Sequence, residues 1–292
     1  MFFPSSTCWL FAPCPTVVCL HDIAPLVYKD RFFVDRETSM FYRLTYYSIR
    51  RTARRLVTVS EYSRKEIQKY LGISYDRISV ICEAASDVFR LLPGKTDILA
   101  ELQARYQVPD RFILFVGGRD FRKNIGRLLD AFVLLKKKGG MPYGLVLIGS
   151  SQREMAALYP SYDELINKQK LGQHVVMTGF VPDEDLVKFY NCADVFVFPS
   201  FMEGFGIPPL EAMACGCPVV ASRAASIPEV VGDAAVMIDP CDIESIAMGI
   251  ERVLDNNELK HELIERGFKR ARQFSWDRAA RQLLSVFSKT AS

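Results

Sequence analysis

The stretch PSFMEGFGIPPLEAMACGCPVVAS, residues 199–222, decides how the chain is read. The apolar run 194–198 ahead of it reads as a buried strand, closed by Pro199 and Ser200. A glycine-bearing loop follows (Met202, Glu203, Gly204, Phe205, Gly206). Ile207, Pro208 and Pro209 then open a short helix to about Cys215, and 218–221 is the next apolar run. Proline suits the first turn of a helix because the N–H it lacks would have no partner there. Gly204 and Gly206 let the backbone turn tightly and bring its amides up to a ligand. A helix N-terminus with unpaired N–H groups attracts anions, phosphate above all. Glu203 and Glu211 bracket those amides, and a carboxylate beside a phosphate repels it. Both are therefore expected to face uncharged hydroxyls, such as those of ribose and hexose. The segment predicts a cradle for a sugar–diphosphate–nucleoside, built from Gly204, Phe205, Gly206, Ile207 and the two glutamates. A solvated carboxylate beside an ordinary strand–turn–helix unit explains either glutamate taken alone.

The full string E-G-F-G-I-P-P-L-E-A-M-A-C-G-C-P-V-V-A-S resembles the Glu-x7-Glu segment of the retaining glycosyltransferases of family 4. The resemblance runs through nearly the whole chain, continuously from about Val17. It implies an α/β fold of the GT-B type, with two Rossmann-like, doubly wound domains facing a cleft. The expected division is a partial first domain at 1–95, a nucleotide-sugar domain at 96–273, and a last helix at 274–292 returning to domain one. The first domain is expected to be incomplete, because family members normally carry further strands and a glycine-rich loop ahead of the position where Phe3-Pro4-Ser5 stands. A sheet without its first strands exposes an edge and apolar surface, so poor stability or self-association is expected.

Composition bounds these expectations. The 292 residues suffice for one large or two small domains, and 49% apolar with 24% charged is an ordinary globular balance. A net charge of +3 argues against a nucleic-acid partner. Eight cysteines include no C-x2-C pair and no zinc spacing with the three histidines, so reduced thiols in the cytoplasm are expected. Cys215-Gly-Cys217 reads as small residues for close helix–strand packing. No apolar run reaches the roughly 18 residues a membrane span needs. The opening apolar segment lacks a basic start and holds Pro4, Pro13 and Pro15, so it reads as loop and strand of the fold, not as a signal peptide.

Working outward, 16–20 is a β-branched run ending at His21-Asp22, the carboxyl end of a parallel strand, where open α/β sheets bind ligands. Residues 36–55 read as a helix ending in Arg50, Arg51, Arg54 and Arg55. Strand 56–59 leads to a helix capped by Ser60, and 78–82 is another strand. LLPGKT, 91–96, is the expected linker. Strands at 112–116, 144–148, 175–178 and 235–238 alternate with helices near 124–138, 160–170, 183–191, 242–255, 258–273 and 276–288, which means a parallel, doubly wound sheet.

Gly117 to Asn124, GGRDFRKN, lies between a strand and a helix, and its three cations suit a diphosphate. Alone it reads equally well as a loop of solvated charges. The resemblance implies more: V-G-x5-K-N is where these transferases place the lysine that holds the donor diphosphate, and Lys123 matches it. The family's arginine often follows the strand glycine directly. Gly118 stands there, so Arg119 or Arg122 is expected to reach instead. His21, in V-V-C-L-H-D-I-A-P-L, matches the histidine near the reacting sugar, although a single histidine is often structural. Gly179, Phe180 and Val181 match the loop against the nucleobase. Ser60-Glu61-Tyr62-Ser63 resembles the family's V-S-x-x-S, though helix capping explains it sufficiently, and Glu83 borders the cleft without a role. Arg153 and Lys170 read as solvent charges, and Trp276 as a buried anchor for the last helix.

The implied reaction transfers a hexose from a nucleotide diphosphate sugar to a hydroxyl with retention. Lys123 and an arginine would stabilise the leaving diphosphate, Glu211 would hold ribose, and Glu203 the donor sugar. With no side-chain base in evidence, the donor phosphate itself would take the acceptor proton. No aspartate–metal motif occurs, so metal and other cofactors are not expected. V-G-x4-R-K-N with H-D-x-x-P-L resembles the mannosyltransferase branch acting in O-antigen or other polysaccharide and glycolipid assembly, which implies GDP-mannose as donor and a glycan or lipid-linked acceptor. The helix carrying Tyr42, Arg43, Tyr46, Tyr47, Arg50, Arg51, Arg54 and Arg55 could lie on the anionic inner membrane surface or be a solvated face. Alternatives are a non-catalytic nucleotide-sugar-binding homologue and, last, a sugar-nucleotide epimerase, for which His21 alone is available. A nicotinamide dehydrogenase is disfavoured, since no G-x-G-x-x-G follows a strand.

Overall fold

The computed structural model describes residues 1–6, 11–139, 141–149 and 160–291; Arg153 lies outside them. They form two compact units. One comprises Met1–Ala84, Met202–Phe205 and Phe274–Ser292, the other Ala85–Phe201 and Gly206–Gln273.

The first unit is built on four parallel strands in sequence order: β1 (Phe2–Phe3), β2 (Thr16–Cys19), β3 (Ala53–Thr58) and β4 (Ile78–Val80). Its helices are α1 (Ala24–Val27), α2 (Lys29–Phe32), α3 (Arg36–Thr52), α4 (Glu61–Leu71) and the C-terminal helix Trp276–Ala291. Side chains alternate across a strand, so β2 feeds two cores. Val18 packs with Ile49 of α3, Leu56 of β3 and Ile67 of α4. Val17 and Cys19 pack with Val57 and with Ala279 and Val286 of the C-terminal helix.

Two expectations are corrected here. Helix α3 ends at Thr52, and Arg54 and Arg55 belong to β3. Pairing with β2 begins at Ala53, where Thr16 meets Ala53 and a bulge brings Val17 opposite Arg55. The sheet thus claims these residues before the helical run of arginines ends, and Arg55 donates to Asp76 O at 3.1 Å. Trp276 is 50% exposed, so it is not the buried anchor expected of it. Just ahead of the last helix, Phe274 meets Phe205 edge-on, with ring centroids 5.6 Å apart.

The second unit holds a six-stranded parallel sheet of β5 (Phe112–Val116), β6 (Gly144–Ile148), β7 (Val175–Gly179), β8 (Val195–Phe198), β9 (Val219–Ser222) and β10 (Ala235–Ile238). Its order is β7-β6-β5-β8-β9-β10, the Rossmann order with the reversal between β5 and β8. FILFV and VFVF are buried at every position, as strands covered by helices on both faces must be. The helices are α5 (Lys95–Tyr106), α6 (Ile125–Lys137), α7 (Tyr162–Lys168), α8 (Asp183–Cys192), α9 (Ile207–Ala214), α10 (Ile227–Val231), α11 (Ile243–Leu254) and α12 (Asn257–Ala271). Leu128, Leu129 and Phe132 of α6 and Ile246, Ile250 and Val253 of α11 fill one face. Among the described residues no helix is long and apolar enough to cross a membrane.

Candidate functional site

In the second unit the site follows from strand order. The chain leaves β5 for β6 on one side and β8 for β9 on the other, and such a reversal is where open α/β sheets bind ligands, beyond the carboxyl ends of the two strands. The first loop is Gly117 to Asn124 and the second runs from Pro199 to Gly206.

Backbone contacts hold the first loop against its neighbours. Gly117 N donates to Ile148 O at 3.0 Å, and Gly149 N donates to Gly179 O at 2.9 Å. A Cβ on Gly149, whose φ is +141°, would lie 1.9 Å from Gly117 O, so only glycine fits. A single 3-10 turn, Phe121–Lys123, follows, with Asp120 accepting from Arg122 N. Asn124 then sits in the left-handed region at φ +61° and is 4% exposed. Its amide donates to Pro199 O at 3.0 Å and Pro240 O at 2.8 Å, tying the start of α6 to the ends of β8 and β10.

The two candidate arginines differ in their commitments. Arg122 pairs with Asp120 (Nε to Oδ1, 2.8 Å) in its own loop, and its carbonyl accepts from Phe201 N at 2.8 Å. Arg119 is anchored through Nε to Gly149 O at 3.1 Å, beyond the end of β6. The Lys123 chain runs beside Gly117, and its Nζ lies 5.5 Å from the centre of the Phe198 ring. A cation there stands over the ends of both β5 and β8.

On the second loop Gly206 takes φ +111° and Ile207 begins α9. Glu211 follows within the helix, where burial pushes its carboxyl up to about 7. Tyr190 of α8 opposes that shift by donating to Oε2 at 2.9 Å, while Asp183 adds to it. Beyond β7, Gly179 has φ +76°, Phe180 is 78% exposed and Val181 is buried. Arg119, Lys123, Glu211 and residues 179–181 thus all stand at the carboxyl side of one sheet.

The remaining candidates belong to the first unit. Met202–Phe205 leaves the nucleotide-fold sheet and is lodged there. Gly204 O accepts from Ser60 Oγ at 2.6 Å and from Ser63 Oγ at 3.1 Å. A Cβ on Gly204 would come 2.6 Å from His21 O. Ser60 caps α4 as expected, accepting from Ser63 N at 3.0 Å. Its second use, gripping the tetrapeptide that carries Glu203, was not expected. Glu83, read as having no role, sits 3.1 Å from His21 Nδ1. Cys19 Sγ lies 3.5 Å from Nε2 of the same ring, and these two hydrogen bonds, Cys19 then Glu83, hold His21 well above the usual histidine range.

An α/β fold of parallel sheets, with Lys123 and Glu211 beyond the strands at a reversal of order, is of the GT-B class. Solved structures agree on the fold. HepE of Anabaena, in complex with UDP and glucose, aligns over 94% of this chain and 72% of its own at TM-score 0.79 and 20% identity. Sucrose-phosphate synthase of Thermosynechococcus elongatus covers 94% and 67% at TM-score 0.75 and 23% identity. Residues 102–270 match the family Glycosyl transferases group 1, and the chain belongs to that family. It is 37% identical over 238 residues to the O-antigen chain mannosyltransferase B of Escherichia coli, covering 81% of this chain and 61% of that protein. It is 32% identical over 277 residues to the serotype-specific mannosyltransferase WbdA of the same organism, covering 95% of this chain and 34% of WbdA. The chain thus spans about a third to three fifths of the length of these relatives.

Proposed function

We propose that this chain transfers a hexose, mannose in the first instance, from a nucleotide diphosphate sugar to a hydroxyl of a growing glycan, with retention, in O-antigen or related polysaccharide synthesis. The observation that carries the reading is the placement of Lys123 and Glu211 beyond β5 and β8, the adjacent strands at which the sheet reverses. Lys123 and Arg119 would take the diphosphate, Glu211 the ribose, and the backbone of Gly179 to Val181 the base. Glu203 would hold donor-sugar hydroxyls, and His21 would stand at the reacting sugar. The names of the relatives support mannose, and GDP-mannose is the donor we assign.

Calorimetric titration of the chain with GDP, UDP and ADP in separate runs tests this. GDP binds tightest, and Glu211→Ala weakens it by about 1–3 kcal/mol, about 5- to 150-fold, because charged hydrogen bonds to hydroxyls are lost. A folded chain that binds none of the three rejects the reading.

For the acceptor end of the reaction we propose that the protein lies on the inner membrane surface. Met40, Phe41, Leu44 and Tyr47 of α3 are each more than half exposed, at helical spacing, among exposed Arg36, Arg43, Arg50 and Arg51. Lone exposed apolar residues are ordinary, but a stripe with cations beside it suits an anionic lipid interface. The chain should sediment with phosphatidylglycerol vesicles and stay in solution with phosphatidylcholine. The double variant Phe41→Asp, Leu44→Asp should lose the pelleted fraction; equal pelleting would count against the assignment.

A further inference from the structure

We propose that Tyr190 is a positioning residue for nucleotide recognition: its hydroxyl holds Oε2 of Glu211, so that Oε1 is the atom offered to the ribose. This rests on the donor-binding reading above and deepens it.

Tyr190 is wholly buried in α8. Its ring is wedged edge-on between Phe89, with centroids 5.8 Å apart, and Phe196 of β8, 5.4 Å apart. Two perpendicular aromatic contacts leave the ring one orientation, and its only polar tip must find a partner because a buried hydroxyl without one is costly. That partner is Glu211 Oε2, 2.9 Å away across the gap between α8 and α9. Phenylalanine would satisfy the packing equally well; the hydroxyl is explained by the carboxylate. The groups that act on Glu211 are few. Asp183, at the start of α8, disfavours its charge, and the Cys215 thiol at the end of α9 is itself pushed up to about 12 by burial and by Glu211. The Tyr190 phenol is held well above its ordinary range, so it stays a donor at working pH. It therefore supplies a hydrogen bond that favours an ionised Glu211, against the burial that, with this bond in place, still pushes the carboxyl up to about 7.

A consequence follows for affinity. Ionised Glu211 accepts from ribose hydroxyls more strongly than the neutral acid, so nucleotide binding weakens as pH falls through 7. Removing the phenol raises the pH at which this happens. The test is GDP titration of the wild-type chain and Tyr190→Phe from pH 6 to 9. The variant should bind about fivefold more weakly at pH 6.5 and within about twofold of wild type at pH 9. Glu211→Gln should flatten the profile. A constant ratio between Tyr190→Phe and wild type across the range, or no difference at all, overturns the proposal. A ligand-free measurement separates it from the donor reading: carboxyl 13C NMR of glutamate-labelled protein, with Glu211→Gln assigning the resonance. The Glu211 midpoint should rise in Tyr190→Phe. An unmoved midpoint overturns the positioning role even if no nucleotide binds, whereas a raised midpoint without nucleotide binding retires only the donor reading.

Discussion

On the proposed function, Lys123→Ala should lower the rate of sugar transfer by about 10²–10³-fold while the protein remains folded. The departing nucleoside diphosphate gains negative charge as the glycosidic bond breaks, and a fixed cation at that point is worth several kcal/mol because it is already in place when the charge develops. Lys123 meets that requirement: Gly117 flanks its stem, and the Phe198 ring lies 5.5 Å from its ammonium. Lys123→Arg retains the charge in a longer, planar head and should recover only part of the rate. Initial rates of GDP release from GDP-mannose, with urea melts alongside, decide the matter. A folded Lys123→Ala enzyme within about threefold of wild type would remove the lysine from the diphosphate and with it the mechanistic reading.

Asn124→Ala destabilises the second unit by about 3–7 kcal/mol. The amide serves two buried carbonyls, Pro199 O and Pro240 O, and leaving each without a donor costs about 1–3 kcal/mol. Alanine must also adopt φ +61°, which asparagine tolerates and alanine does not, at a further cost of about 1 kcal/mol. Asn124→Gly separates the two effects, since it relieves the backbone and still leaves the carbonyls unserved. Urea unfolding should rank wild type above glycine above alanine. Coincident midpoints for all three would show that the knot between α6, β8 and β10 contributes nothing.

The parts of the molecule that were legible in the sequence are those whose signal is local. FILFV and VFVF declare buried parallel strands, and the loops beyond them had the glycines and charges of strand ends. Lys123 and Glu211 were named from the resemblance and the Glu-x7-Glu segment, and each stands in the structure beyond the end of one of these strands. Where a side chain answers to a distant partner, the reading failed. Ser60 and Ser63 look like an ordinary helix cap, and nothing near them indicates a carbonyl more than 140 positions away. Glu83 acquires a role only when β2 and the segment after β4 bring it to His21. Arg54 and Arg55 continue a helical run of cations, and only the register with β2 makes them a strand. Helix α5 was not foreseen because it buries little more than Leu102 and is held from outside. Asp185 of α8 accepts from Tyr106 at 2.6 Å and pairs with Arg105, and Lys188 joins Glu101. Tyr190 was invisible for the same reason: in sequence it is one aromatic among several on an apolar face.

The lodging of Met202–Phe205 bears on how such proteins can be recombined. The chain passes between the two units four times, and two of those passages bound a four-residue visitor. A hybrid that takes 85–273 from one relative and the rest from another inherits the visitor from the first parent and its seat from the second. The seat admits little variation, since it needs two hydroxyls on one carbonyl and, at Gly204, a residue without a Cβ. Parents matched at Ser60, Ser63 and Gly204 should yield hybrids with Glu203 in place. On the proposed roles of Glu203 and Glu211, parents mismatched there should yield hybrids that hold a nucleotide yet mishandle its sugar.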